Sequence, residues 1–394
     1  MVATRFIYDG IGSMGTDSSK ISKGMDSAEH VVFAGGDTAG RLFPGLAVAE
    51  QLRRDLPGVK ISFCGTGTHL ERKHVFAAGF AYRGLPCRPW SQSLREVWKF
   101  FKDRRRGIRS AAHWIGSENV TAVVGLGGYA SLPIARAALQ AGIHVALLDQ
   151  NPVSSRTTRK LSRIAELICV SSPVAKQRLR TSASVQVTGN PVRSISIAHK
   201  SRAVHGPRLL VTGGCLGVAA LNEWVPRALY KLSRAVSSWR IVHQAGLQDT
   251  SRTAELYRKL ALQAEVVPFV DDLPSMLLDT DLVICHAGGT TLSELAVYGV
   301  PAILLSDSES SGDHQRIHAR CFTRAGAAVT IDPLQLCGRL DDELGARILP
   351  IVNDGNLRQA MANSMSNMAF PNAAHDVAKA ITGLLRSGQL AEAA

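Results

Sequence analysis

Chemistry is most concentrated in the stretch Cys285-His286-Ala287-Gly288-Gly289-Thr290-Thr291-Leu292-Ser293-Glu294. An apolar run ends there, two glycines permit a tight turn, and the pattern predicts a helix from Thr290 or Thr291. Threonine caps a helix N-terminus well, and Glu294 follows at about the spacing of a capping box. The free N–H groups and partial positive charge of a helix end suit a phosphate. The same residues also make an ordinary strand-to-helix turn with a capping glutamate, and the segment alone does not separate the two.

Three more glycine turns share this character. Gly213-Gly214-Cys215-Leu216-Gly217 follows an apolar run and precedes a helix expected near Val218. It lacks a P-loop lysine and the full dinucleotide fingerprint, which argues against nicotinamide chemistry. Ala34-Gly35-Gly36-Asp37-Thr38-Ala39-Gly40-Arg41 leads into Leu42-Phe43-Pro44-Gly45-Leu46-Ala47, where Pro44 suits a first helical turn. Its backbone donors and the Arg41 guanidinium can meet an anion. Gly125-Leu126-Gly127-Gly128-Tyr129-Ala130-Ser131 is similar. His314 and His318 share a helical face, but a helix flanking a binding cleft explains them without metal.

These turns need strands and helices to position them. Short apolar runs alternate with helical stretches: Val31–Phe33, Lys60–Phe63, Ala122–Val124, Val145–Leu148, Leu167–Val170 and Val185–Val187. After a polar, basic break the alternation restarts with Leu209–Val211, Arg240–Val242, Val266–Val267, Leu282–Ile284, Ala302–Leu305 and Ala327–Thr330. Continuous apolar strands separated by helices predict parallel sheets buried on both faces. Each half opens with a strand, a glycine turn and a helix, so two Rossmann-like α/β domains facing across a cleft are expected. Ligands of such sheets lie at the carboxyl ends of the strands. The expected division is a leader at 1–28, an N-terminal domain at 29–196, a linker at 197–207, a C-terminal domain at 208–370 and a tail at 371–394. The C-terminal stretch from about Asp341 reads as helical, ending near Gly388.

Composition narrows the partners. The formal net charge of +13 favours an anionic one: nucleic acid, a phosphate-bearing substrate or an acidic membrane surface. No nucleic-acid module is recognisable, and few aromatics accompany the charges. The seven cysteines form no CxxC pair, which argues against structural zinc and disulfides and fits a cytosolic chain. No apolar run approaches the roughly 20 residues of a membrane span. Leu94, Val97, Trp98 and Phe101 fall on one stripe beside a basic run, Lys102 to Arg109. That pattern suits an interfacial helix on anionic lipid, and equally a helix packed on the sheet with a solvated basic face.

Together the motifs are specific. The chain resembles, from about Val31 to Leu385, the bacterial peptidoglycan enzymes that add N-acetylglucosamine to undecaprenyl-pyrophosphoryl-N-acetylmuramoyl-pentapeptide. The marks are Phe43-Pro44-Gly45-Leu46-Ala47, Gly127-Gly128-Tyr129, Asp149-Gln150-Asn151, Gly189-Asn190-Pro191-Val192-Arg193, Gly213-Gly214, Phe269-Val270-Asp271-Asp272, Gly288 to Glu294, Gly299-Val300-Pro301-Ala302 and Asp313-His314-Gln315. The resemblance implies a GT-B fold with the tail helix packed back on the N-terminal domain. It implies an inverting transfer from UDP-N-acetylglucosamine with no metal or other cofactor. The enzyme would be peripheral, on the cytoplasmic face of the membrane, with a polyprenyl-pyrophosphoryl lipid as acceptor.

Carried over by position, Val270 would meet the uracil through its backbone and Glu294 would accept from ribose hydroxyls. Gly289, Thr290 and Thr291 would hold the diphosphate, with Cys215 and Arg193 beside it. Asn151 and Gln315 would contact the sugar. Thr38, Ala39, Gly40, Gly127, Gly128 and Tyr129 would face the acceptor pyrophosphate. The sequence departs from the family on that side. The usual Gly-Gly-Gly-Thr-Gly-Gly-His reads Gly35-Gly36-Asp37-Thr38-Ala39-Gly40-Arg41, and the usual His-Glu-Gln-Asn reads Leu148-Asp149-Gln150-Asn151. Arginine binds pyrophosphate but is no base near neutral pH. Arg41 and Asp149 are therefore the expected catalytic pair, with Asp37 a second candidate base beside the anion site. A related transferase with another acceptor, or a binder without turnover, are the alternatives those departures raise.

Overall fold

The computed structural model describes residues 29–87, 94–193, 206–214, 217–306, 313–333 and 339–392. The leader, Cys215 and all but the last two linker residues lie outside them, as do the side chains of Leu94, Val97, Trp98 and Phe101.

Every apolar run named above corresponds to a strand. The first sheet holds β1 (His30–Ala34), β2 (Lys60–Gly65), β3 (Ala81–Gly84), β4 (Ala122–Gly125), β5 (His144–Asp149), β6 (Leu167–Val170) and β7 (Ser184–Val187). The second holds β8 (Arg208–Thr212), β9 (Arg240–Gln244), β10 (Glu265–Val267), β11 (Leu282–His286), β12 (Ala302–Leu305) and β13 (Ala328–Ile331). Their orders are β3-β2-β1-β4-β5-β6-β7 and β10-β9-β8-β11-β12-β13. All pairings are parallel. β3 was not expected: at the sheet edge, Ala81-Tyr82-Arg83-Gly84 is mostly exposed and leaves no apolar signature.

Both sheets are covered on both faces, which is why the strands read as unbroken apolar runs. In β1, Val31 and Phe33 enter one core while Val32 and Ala34 enter the other. The C-terminal stretch divides into three helices, Leu340–Asn353, Gly355–Ser366 and Ala373–Glu392. The last packs Val377, Ala378, Ile381 and Leu385 into the core beneath helix Ala39–Asp55. The chain therefore crosses back to the N-terminal sheet, and burying that apolar stripe ties the two halves together.

Strand order reverses between β1 and β4 in the first sheet, and between β8 and β11 in the second. At these switch points the crossovers leave in opposite directions and open a crevice at the carboxyl ends. The four glycine turns follow just those four strands.

Candidate active site at the seam between the domains

The turn after β11 opens helix Gly289–Tyr298, whose N-cap is Gly288 with no side-chain cap. The expected capping box is not formed. Thr290 sits inside the first turn, where its hydroxyl faces across the seam instead. It donates to the Gly40 carbonyl at 2.6 Å and accepts from Asn190 Nδ2 at 3.1 Å. The reason lies in the opposite helix, which starts at Ala39, earlier than expected, so that Pro44 is interior. Proline has no N–H, so the Gly40 carbonyl four residues back lacks its intrahelical donor. Thr290, 250 residues away in sequence, supplies one.

The two domains touch closely here. A Cβ on Gly289 would lie 2.5 Å from the Gln150 carbonyl oxygen and 2.9 Å from His318 Cε1, so only glycine fits. Glu294, 3% exposed, points to Arg193, with Oε1 3.5 Å from an Nη. Burial raises the Glu294 carboxyl to about 7, opposed by the charge and hydrogen bond of Arg193. Arg193 also donates to the Asp271 carbonyl at 2.9 Å and lies 3.8 Å over the Phe43 ring. Lys73 of the N-terminal half reaches Asp271 at 2.7 Å. Arg193 is thus held by both domains.

Four side chains of this seam keep a buried polar atom without a partner: Asn190 Oδ1, Arg193 Nε, Gln315 Oε1 and His318 Nδ1. Such atoms are costly unless a ligand or an ordered water meets them. Gln315 is steered by His286 Nδ1, 3.4 Å from its Nε2. Burial pulls His318 down to about 4, so it is neutral at physiological pH. Among the described residues no group of three or more His, Cys, Asp or Glu side chains could hold a metal ion.

The N-terminal glycine turn corrects another expectation. Asp37 is not a bare charge at this turn: its Oδ1 accepts from Arg41 at 2.7 Å, one helical turn on. Thr38 is the N-cap, and Ala39, Gly40 and Arg41 form the first turn. Gly127 and Gly128 adopt φ of +84° and +77° beside this pair. A Cβ on Gly128 would meet Asp37 Oδ1 at 2.5 Å. Tyr129 bonds to Thr66, and burial raises its phenol.

Asp149 ends β5 and is 2% exposed. Ser154 donates to its Oδ2 and the Asn151 N–H to its Oδ1 at 3.4 Å. Burial raises the carboxyl to about 6, moderated by these bonds and by the Arg41 charge. Thr291 follows Thr290 in the same first helical turn and is half-buried. The Val270 N–H is committed within the protein, donating to Gln244 Oε1 at 2.9 Å. Gln244 carries no role in the sequence reading, and Asn190 enters it only as part of the Gly189–Arg193 mark. A lone polar residue at a strand end such as Gln244 has no local signal; only its partners reveal it.

This geometry has relatives. Residues 31–170 match the glycosyltransferase family 28 N-terminal domain, and 208–377 match its C-terminal domain. A UDP-N-acetylglucosamine--N-acetylmuramyl-(pentapeptide) pyrophosphoryl-undecaprenol N-acetylglucosamine transferase of Methylococcus capsulatus is 36% identical over 368 residues, 89% of this chain and 98% of that one. Its namesake in Chlorobaculum parvum is 32% identical over 370 residues, covering 91% and 100%. Acinetobacter baumannii MurG superposes with a TM-score of 0.68 at 28% identity, over 90% of this chain and 99% of that one. A UDP-GlcNAc 2-epimerase from Neisseria meningitidis shares the fold alone, with a TM-score of 0.64 at 16% identity over 91% and 100%. The architecture is GT-B. Its two matched domains and its full-length relatives place this chain in the family of UDP-N-acetylglucosamine--N-acetylmuramyl-(pentapeptide) pyrophosphoryl-undecaprenol N-acetylglucosamine transferases.

Proposed function

We propose that the chain transfers N-acetylglucosamine from UDP-N-acetylglucosamine to the muramoyl C4 hydroxyl of undecaprenyl-pyrophosphoryl-N-acetylmuramoyl-pentapeptide. The configuration at the anomeric carbon inverts. The observation that carries this beyond kinship is the set of partnerless buried atoms around the helix that starts at Gly289. A sugar with several hydroxyls and a diphosphate is the kind of ligand that satisfies donors and acceptors together.

Each step has a group suited to it. A base removes the C4 hydroxyl proton, the oxygen attacks the anomeric carbon, and UDP leaves with the bonding electron pair. Asp149, with a carboxyl near 6, is ionised at neutral pH yet basic enough to take a proton. The positive end of helix Gly289–Tyr298 and Arg193 offset the charge developing on the diphosphate. Glu294, ionised above about 7, accepts from ribose hydroxyls. Asn151 and Gln315 read the sugar. Arg41, with Thr38 to Gly40 and Gly127 to Tyr129, receives the acceptor pyrophosphate.

The acceptor is a lipid, so the chain must work at a bilayer surface. No described helix is long and apolar enough to cross one. Helix Leu94–Ser117 packs Ala111, Trp114 and Ile115 into the N-terminal core, while Lys102, Arg105, Arg106 and Arg109 stay exposed. That basic face supports peripheral attachment to anionic headgroups on the cytoplasmic side.

The deciding experiment follows radiolabelled N-acetylglucosamine from its UDP donor to the muramoyl-pentapeptide pyrophosphoryl lipid, with EDTA present. Transfer that disappears in Glu294→Ala is expected. UDP binding without transfer to this lipid would overturn the assignment in favour of another acceptor, as the Asp37 and Arg41 departures would then explain.

A further inference from the structure

Gln244 closes β9 and is 3% exposed. Its side-chain amide ties together two segments that the donor must touch at once. Nε2 donates to the Gly214 carbonyl at 2.6 Å, in the glycine turn after β8. Oε1 accepts from the Val270 N–H at 2.9 Å, in the segment after β10. β9 lies between β8 and β10, so a side chain at its carboxyl end reaches the turns of both neighbours.

The base beneath this clamp is firm. His243, the preceding residue, is fully buried between Tyr257 Oη at 3.0 Å and Asn222 Oδ1 at 3.1 Å. Asn222 in turn donates to the Ala245 carbonyl at 2.8 Å, and the Ala245 N–H reaches the Val267 carbonyl at 3.0 Å. A Cβ on Gly217 would come within 2.2 Å of the Ala245 oxygen, so the glycine turn is pressed against the same strand end. Gln244 therefore springs from an anchored backbone and has each end of its amide committed. An amide can donate on one side and accept on the other within a single rigid plane. Glutamate keeps the acceptor but turns the donor into a second acceptor facing a carbonyl.

We propose that Gln244 is a positioning residue that fixes the spacing between the phosphate-binding turn at Gly213–Gly214 and the base-binding segment at Val270. It thereby selects a nucleoside diphosphate over a monophosphate. This rests on the donor assignment above, and the test separates the two.

Calorimetric titration of the full chain with UDP and with UMP reads what the second phosphate adds. Gln244→Glu should leave UMP binding within about twofold while weakening UDP roughly five- to tenfold, the size of one lost hydrogen bond. Gln244→Ala, which releases both segments, should weaken both nucleotides. In turnover, Gln244→Glu should raise KM for the donor with kcat within about twofold, because the group touches no reacting atom. Equal weakening of UDP and UMP in Gln244→Glu, or unchanged UDP binding in either variant, overturns the clamp and leaves the donor site standing. A native chain that binds neither nucleotide overturns the donor assignment and the clamp with it.

Discussion

The Thr290 hydroxyl joins the domains through one atom, and its removal can be worked out in advance. Thr290→Val keeps the shape but deletes the donor to Gly40 and the acceptor for Asn190 Nδ2. The two losses differ. Gly40 is exposed, so water can replace Thr290 and the cost is about 1 kcal/mol, a net hydrogen bond. Asn190 is 3% exposed and its Oδ1 already lacks a partner, so stranding Nδ2 as well adds about 1–2 kcal/mol. Opening of the seam should ease by about 2 kcal/mol, which speeds amide hydrogen exchange in peptides covering Gly289–Tyr298 roughly 30-fold. Thr290→Ser should exchange as the native chain does. Pro44→Ala provides the control, since alanine at that position supplies an intrahelical N–H to the Gly40 carbonyl. In that background Thr290→Val should cost about 0.5–1 kcal/mol less. Strict additivity of the two substitutions, or exchange in Thr290→Val within about twofold of native, would refute the proline-orphan account.

Further expectations concern charge at the seam. The Glu294 carboxyl is raised by burial from 4.5 to about 7, so the folded state holds its proton more tightly. Its contribution to stability is complete below pH 4.5 and fades as pH rises through about 7. Relative to Glu294→Gln, the native chain should therefore lose stability between about pH 4 and 8, on the order of 3 kcal/mol. Thermal melts across that range test this, and a constant difference would refute it. Donor binding should run the other way, strengthening as the carboxylate forms. Asp149→Asn should lower kcat by roughly 10²–10⁴-fold and remove an acidic limb near pH 6 from the rate profile; normal turnover would dismiss Asp149 as base. Arg41→Ala strands the Asp37 carboxylate beside the Gly127-Gly128 turn. Acceptor KM should rise more in Arg41→Ala than in the double variant Asp37→Asn, Arg41→Ala, and equal effects would show that the pair does not act as a unit.

The alternation of apolar runs, glycine turns and helices was enough to place two parallel sheets, because strands buried on both faces must be apolar throughout. It failed only where burial failed, at the exposed edge strand Ala81–Gly84. The glycine turns were legible for a similar reason: Gly288-Gly289 and Gly213-Gly214 mark turns by the local backbone alone.

Partnership was not legible. Glu294 reads as a cap by spacing, yet in the fold it faces Arg193, and Thr290 reads as a cap yet answers an orphan carbonyl made by Pro44. Asp37 and Arg41 look like separate departures from a family loop until the helix start at Ala39 places them one turn apart and pairs them. Gln244 carries no motif at all. Local periodicity and turn chemistry are written in neighbouring residues, so the sequence determined the layers and the glycine turns. Which polar atom meets which depends on segments up to 250 residues apart brought to hydrogen-bond distance, and that only the tertiary structure decided.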